Sequence, residues 1–178
     1  NELRYPYDWI LSTQSFVIDS FCNEAFFFNF EAKHLYRNKQ FLTEKRNALS
    51  IHDFNDYYKD LQHVKEKYAR RFTRLDSLMS SADSVLCIRV VDHEPHRDAW
   101  KDLFHNEAED FDRWETFTKS LSIKYNKNVY LLLLSSDAGE VALWNLRCSN
   151  VVFTRQINEF KSNVTEQIKS VFNLLIAQ

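Results

Sequence analysis

Glycine is nearly missing from this chain: Gly139 is the only one, beside two prolines. Neither a Walker A loop nor a GxGxxG turn can be written with a single glycine, which excludes P-loop hydrolysis and classical dinucleotide binding. Cysteine is scarce and odd in number. Cys22, Cys87 and Cys148 stand far apart and make neither a disulfide framework nor a CxxC knuckle. Cys87 and Cys148 sit in apolar, strand-like runs, the ordinary place for a small buried thiol. A reducing, cytoplasmic setting is expected. Charge of one sign is also lacking. The formal net charge is −2 and the isoelectric point is near 6.3. No global basic field draws in nucleic acid or an anionic membrane, so neither is expected as a partner. No apolar run reaches the roughly 20 residues a membrane span needs, and the first residues are not a signal peptide. The chain opens on Asn1, not Met, and we expect a processed chain or a piece of a longer one.

Aromatic residues are abundant. Fifteen Phe, eight Tyr and four Trp among 178 residues give large burial per residue and argue against disorder. That length suits one domain with a sizeable core, residues 1–178, possible loss of an upstream N-terminal segment aside.

Residues 1–11 read as an entering loop. Thr13 caps a predicted helix running to Phe30, with Phe16, Val17, Phe21, Ala25 and Phe28 towards one face. Residues 31–50 are mixed and irregular, with a short strand or turn near Ala48–Ile51. From Asp56 the pattern sharpens. Tyr57, Leu61, Val64, Tyr68, Phe72, Leu75 and Met79 follow steps of three and four, one helical face. Val85–Val91 is a near-continuous apolar run of strand length, expected to be buried on both faces. Trp100, Leu103, Phe104, Phe111, Trp114, Phe117 and Leu121 mark another helix, and Val129–Leu134 a second buried strand. Two apolar strands joined by a helical crossover form a parallel βαβ unit. The predicted class is α/β, three-layered, with a mostly parallel sheet flanked by helices. Asp137–Glu140 reads as a turn, Val141–Arg147 as a strand, and Val151–Phe153 as a further one. Thr154 is expected to cap a closing helix bearing Ile157, Phe160, Val164, Ile168, Val171 and Leu175.

The candidate sites each have a bland reading beside them. His52 and Asp53 stand at an expected strand-to-helix junction, where functional side chains collect in open α/β sheets. His52 suits a general base near neutral pH. Alternatively, Asp53 or Asn55 caps the next helix and His52 is a surface residue. Asp8, between Tyr7 and Trp9, either orients a histidine as the acid of a triad does or bonds backbone N–H groups in a turn after Pro6. Arg89 is the one charge in the run 85–91. It binds an anionic substrate, or it pairs with an internal carboxylate and holds the fold. Asp92, His93, Glu94 and His96 invite a metal reading, but their Pro-containing loop has no helical ligand spacing, and no metal or other cofactor is expected. Lys65, Lys67, Arg70, Arg71 and Arg74 are placed on the solvent-side faces of the 56–80 helix; they contact phosphates, or they form a solvated face balanced by Glu107, Glu109, Asp110, Asp112 and Glu115 of the next helix. Asn163-Val164-Thr165 fits a glycosylation sequon but falls within a helix.

Leu3-Arg4-Tyr5-Pro6-Tyr7-Asp8-Trp9, His52-Asp53-Phe54, Tyr68-Ala69-Arg70-Arg71-Phe72-Thr73-Arg74 and Cys87-Ile88-Arg89-Val90 follow one another in a specific order. In that order they resemble the papain-like cysteine peptidase family known as a domain of unknown function in bacteria and some large DNA viruses. Tyr7 replaces the usual Phe of that family. The match covers residues 3–94, and Glu94 resembles a Glu that follows the family's strand. The resemblance implies an α/β domain of hydrolase or transferase type, with His52 as base and Asp8 or Asp53 as its orienter. Trp9, Arg89 and Glu94 fall on the substrate side, and these side chains are expected to converge. The family's nucleophilic Cys lies in a Gly- and Ser-containing segment upstream of Leu3, and Cys22 is not its equivalent. Either that segment was removed or this member is not catalytic. The alternative function is a non-catalytic interaction or accessory domain of a larger protein.

Overall fold

The computed structural model describes residues 10–23, 41–42, 48–50, 56–91, 107–147, 149–157 and 164–176. The chain forms two compact units. One comprises Asn1–Ser81 and His96–Glu109, the other Ala82–Pro95 and Asp110–Gln178.

In the first unit, three short strands make an antiparallel sheet: β1 (Ile10–Ser12), β2 (Phe41–Leu42) and β3 (Ala48–Ser50). Their order is β1-β3-β2, with Ile10 and Phe41 both registered on Ser50. Helix α1 (Gln14–Cys22) starts as its sequence predicts: the Thr13 side chain accepts a hydrogen bond from the Phe16 N–H at 3.2 Å. The Glu107 carboxylate accepts from the Ser15 N–H at 3.0 Å and from the Ser15 hydroxyl at 2.6 Å. An anion on the first turn suits the helix dipole. The helix stops well before Phe30. Asn23 is extended (φ −145°), and its N–H closes on the Asp19 carbonyl. Asn competes with helical bonding through its own side chain, which favours it at helix ends.

Helix α2 (Tyr57–Ser81) is the long amphipathic helix expected from the three–four spacing. Val64, Tyr68, Phe72 and Met79 are buried along one stripe. At its start the Asp56 carboxylate accepts from the Lys59 N–H, and the Asp60 carboxylate accepts from the Asp56 N–H.

The second unit is an α/β layer structure. Strands β4 (Ser84–Val91), β5 (Asn128–Ser135) and β6 (Val152–Gln156) form a parallel sheet in the order β4-β5-β6. Helix α3 (Phe111–Tyr125) connects the first two strands and α4 (Ala138–Asn145) the second two; α5 (Val164–Ile176) follows β6. Residues alternate in direction along a strand, so the register assigns the faces. Leu132 and Leu134 of β5 pack with Ile157 and with Val171 of α5. Arg89, Leu133 and Thr154 are in register and point the other way. On that side Arg89 meets Trp114 of α3, and the Thr154 hydroxyl donates to the Asn145 side chain of α4. Thus α3 and α4 cover one face and α5 the other. The sheet lies between helices, as the two apolar strands and their crossover imply.

Three expectations for this unit change. Residues 141–147 form most of α4 and its end, not a strand. Asp137 caps that helix, accepting from the N–H groups of Gly139 at 2.8 Å and Glu140 at 3.1 Å. Thr154 lies within β6 and caps nothing; α5 begins ten residues later. Strand β4 is buried on one face only in part: Ile88 is 44 % exposed, whereas β5 is buried from Leu131 to Ser135. Among the described residues β4 has one hydrogen-bonded neighbour, and such a strand is covered less than one between two.

Helix α3 is capped by Asp110 and ends at Asn126 in the left-handed region (φ 52°), a conformation Asn tolerates better than most residues. Ser149 ties α3 to the start of β6. Its hydroxyl donates to Glu115 at 2.8 Å and accepts from the N–H groups of Val151 and Val152. That hydroxyl first, and Lys119 second, hold the Glu115 carboxyl below its usual range. No described helix is long and apolar enough to cross a membrane.

Candidate functional site

A cation inside the molecule needs a reason, so the site begins with arginine. Arg71 was expected on the solvent side of α2 and is instead buried, 5 % exposed. It follows Tyr68 by three and Val64 by seven, and both positions belong to the buried stripe. The guanidinium carbon lies 4.9 Å from the centroid of the Tyr68 ring, which is itself fully buried. The Lys67 ammonium lies 5.3 Å from the same centroid. Each distance is within cation–π range. The other basic residues of this helix behave as expected of a solvent-side face. Arg70 is exposed, and Lys65 and Arg74 are half-buried, with Arg74 donating through Nε to the Arg70 carbonyl.

Arg89, on β4, is the predicted site residue that falls within the described residues. It is half-buried, with its guanidinium carbon 5.9 Å from the Trp114 ring centroid. Trp114 in turn meets Phe117 edge to face, with centroids 6.0 Å apart. Arg89 has further interactions besides this one, so its charge is engaged within the protein. Asp8, Trp9, His52, Asp53 and Glu94 lie outside the described residues, as do His93 and His96. Among the described residues no cluster of His, Cys, Asp and Glu is arranged to hold a metal ion.

The carboxyl edge of the parallel sheet is where such folds place ligands. Here the polar groups at the end of β5 are bonded to one another. Ser135 is fully buried; its hydroxyl donates to Glu140 at 2.8 Å and accepts from the Asp137 N–H at 3.1 Å. Asp137 caps α4. This network fixes the strand-to-helix corner.

The cysteines divide by environment. Cys22, last in α1, is exposed and free. Cys87, on β4, is free and half-buried, and burial pushes its thiol from the usual 9.0 up to about 11. It therefore stays protonated through neutral pH. The stability drawn from its neutral form is held below pH 9 and lost as pH rises through about 11. Iodoacetamide at pH 8 is expected to alkylate Cys22 roughly 10²-fold faster than Cys87, since the thiolate is the nucleophile. Peptide mass mapping over a time course reads each site separately. Equal rates would show that Cys87 is not shielded.

Comparison of the chain with protein-family models, with curated proteins and with solved structures found no match. The functional reading rests on the residues themselves.

Proposed function

We propose that this chain is a cytoplasmic, hydrolase-like α/β domain of the papain-like cysteine peptidase type that its N-terminal half resembles. One observation supports the reading most. Tyr68 and Arg71, two positions of the Tyr-x-Arg-Arg-x-x-Arg element, are both buried and in ring contact, while Arg70 is exposed. A run of basic residues that merely solvates a helix does not turn one guanidinium inward. The pattern is what a recognition element looks like when one arginine serves a buried purpose and its neighbours keep the helix in water.

In this reading His52 is the general base, Asp8 or Asp53 orients it, and Arg89, Glu94 and Trp9 act on the substrate side. The free thiols fit a reducing compartment. The test is hydrolysis of a panel of ester and amide reporters by the complete native gene product. Turnover that disappears in His52→Ala, with an unchanged circular dichroism spectrum, supports the proposal. Turnover unaffected by His52→Ala, or none across the panel, overturns it in favour of the non-catalytic accessory domain.

A further inference from the structure

We propose that Arg71 is the receptor for an oxyanion, a carboxylate or phosphate group carried by a small ligand. The proposal does not depend on the hydrolase reading, because binding is measured without turnover. Arg71 is buried, yet its ring contact with Tyr68 is its interaction, and among the described residues no carboxylate hydrogen-bonds or ion-pairs with it. Elsewhere among the described residues, Glu107 holds Ser15, Glu66 accepts from Gln62, and Asp56 pairs with Lys59 at 3.4 Å.

A guanidinium offers five N–H donors in its plane. The contact with the Tyr68 ring pairs no N–H donor with an acceptor oxygen, so donors remain for a ligand. The edge is the part that matches carboxylate and phosphate geometry, two parallel hydrogen bonds at a time. The electrostatics agree. Lys67 and Arg71 bring two positive charges to one buried ring, and an anion seated there is attracted by both. The helix is long, and the site lies in its middle, so the cation is held by a rigid element. A long side chain in the buried stripe of Val64, Tyr68 and Phe72, with no hydrogen bond to an acceptor among the described residues, has donors to offer a ligand.

The experiment is thermal unfolding of the full chain in sodium phosphate, and separately in sodium acetate, against sodium chloride at matched ionic strength. Binding to the folded state alone raises Tm by mass action. We expect an upward shift of about 2–4 °C at saturation in the wild type. The shift disappears in Arg71→Met and is retained in Arg70→Met, whose arginine is exposed. Arg71→Lys keeps the charge without the fork, and its shift is expected to be less than half the wild-type value. A response to phosphate alone or to acetate alone identifies which oxyanion the site takes. No shift in the wild type with either anion overturns the proposal, whatever the variants do. An equal shift in Arg71→Met also overturns it and marks an adventitious ion bound elsewhere.

Discussion

Trp114→Ala is expected to lower stability by about 3–5 kcal/mol, a large share of the roughly 5–15 kcal/mol that holds a domain together. Trp114 is 1 % exposed, on the face of α3 turned to the parallel sheet. Truncation removes one of the two buried tryptophans of that layer and leaves a cavity that the rigid strands cannot close. Two specific contacts go with it. The edge-to-face pair with Phe117 is lost, and so is the ring beneath the Arg89 guanidinium. The latter matters because Arg89 is half-buried and relies on the ring for part of its surroundings. Trp114→Phe keeps a ring in place and is expected to cost less than half as much. Urea unfolding followed by circular dichroism, with the slope checked for two-state behaviour, measures both. A loss below about 1 kcal/mol in the alanine variant would mean that α3 does not anchor the sheet through this residue.

The parts of this fold that could be read from sequence are those with one dominant signal. The stripe Val64, Tyr68, Phe72 and Met79 has no competing period, and it forms α2. Val85–Val91, broken only by Arg89, and Val129–Leu134 are apolar runs of strand length, and they pair in parallel as their crossover requires. Where two signals competed, the weaker cue decided. Val141–Arg147 alternates enough to suggest a strand, but Asp137 and Glu140 have the spacing of a capping box, and Ala142, Leu143 and Leu146 favour helix. Thr154 suits a helix cap by type, yet it follows Val151, Val152 and Phe153, and the β-branched run carries it into β6. Asn23 was a stop that the phenylalanines after it obscured.

The candidate site was less legible for a different reason. Residue type suggested that Lys65, Lys67, Arg70, Arg71 and Arg74 of α2 all face water, whereas spacing puts Arg71 on the apolar stripe, three beyond Tyr68. The structure follows spacing. Arg89 shows the converse: sequence required that a charge in an apolar strand find a partner, but could not show that an aromatic ring supplies part of it.

Arg71→Met is expected to leave the ligand-free protein as stable as the wild type or about 1 kcal/mol more stable, a rise in Tm of about 2–4 °C. Methionine has nearly the length of the arginine stem and fills irregular space in a core. The substitution removes the cation–π contact with Tyr68, worth about 2 kcal/mol when desolvated. It also removes the penalty of keeping a guanidinium out of water, which is several kcal/mol per ion. The second term is the larger, so the balance favours the variant. A purely structural arginine in a completed ion pair gives the opposite sign, because its loss strands a buried carboxylate at a cost of about 3–5 kcal/mol. The two roles therefore differ in direction as well as size, and urea unfolding in chloride buffer separates them. A loss of 3 kcal/mol or more would assign Arg71 to the architecture of α2. Equal or greater stability, coupled with loss of the oxyanion response, would identify a residue kept for its ligand at the expense of the empty fold.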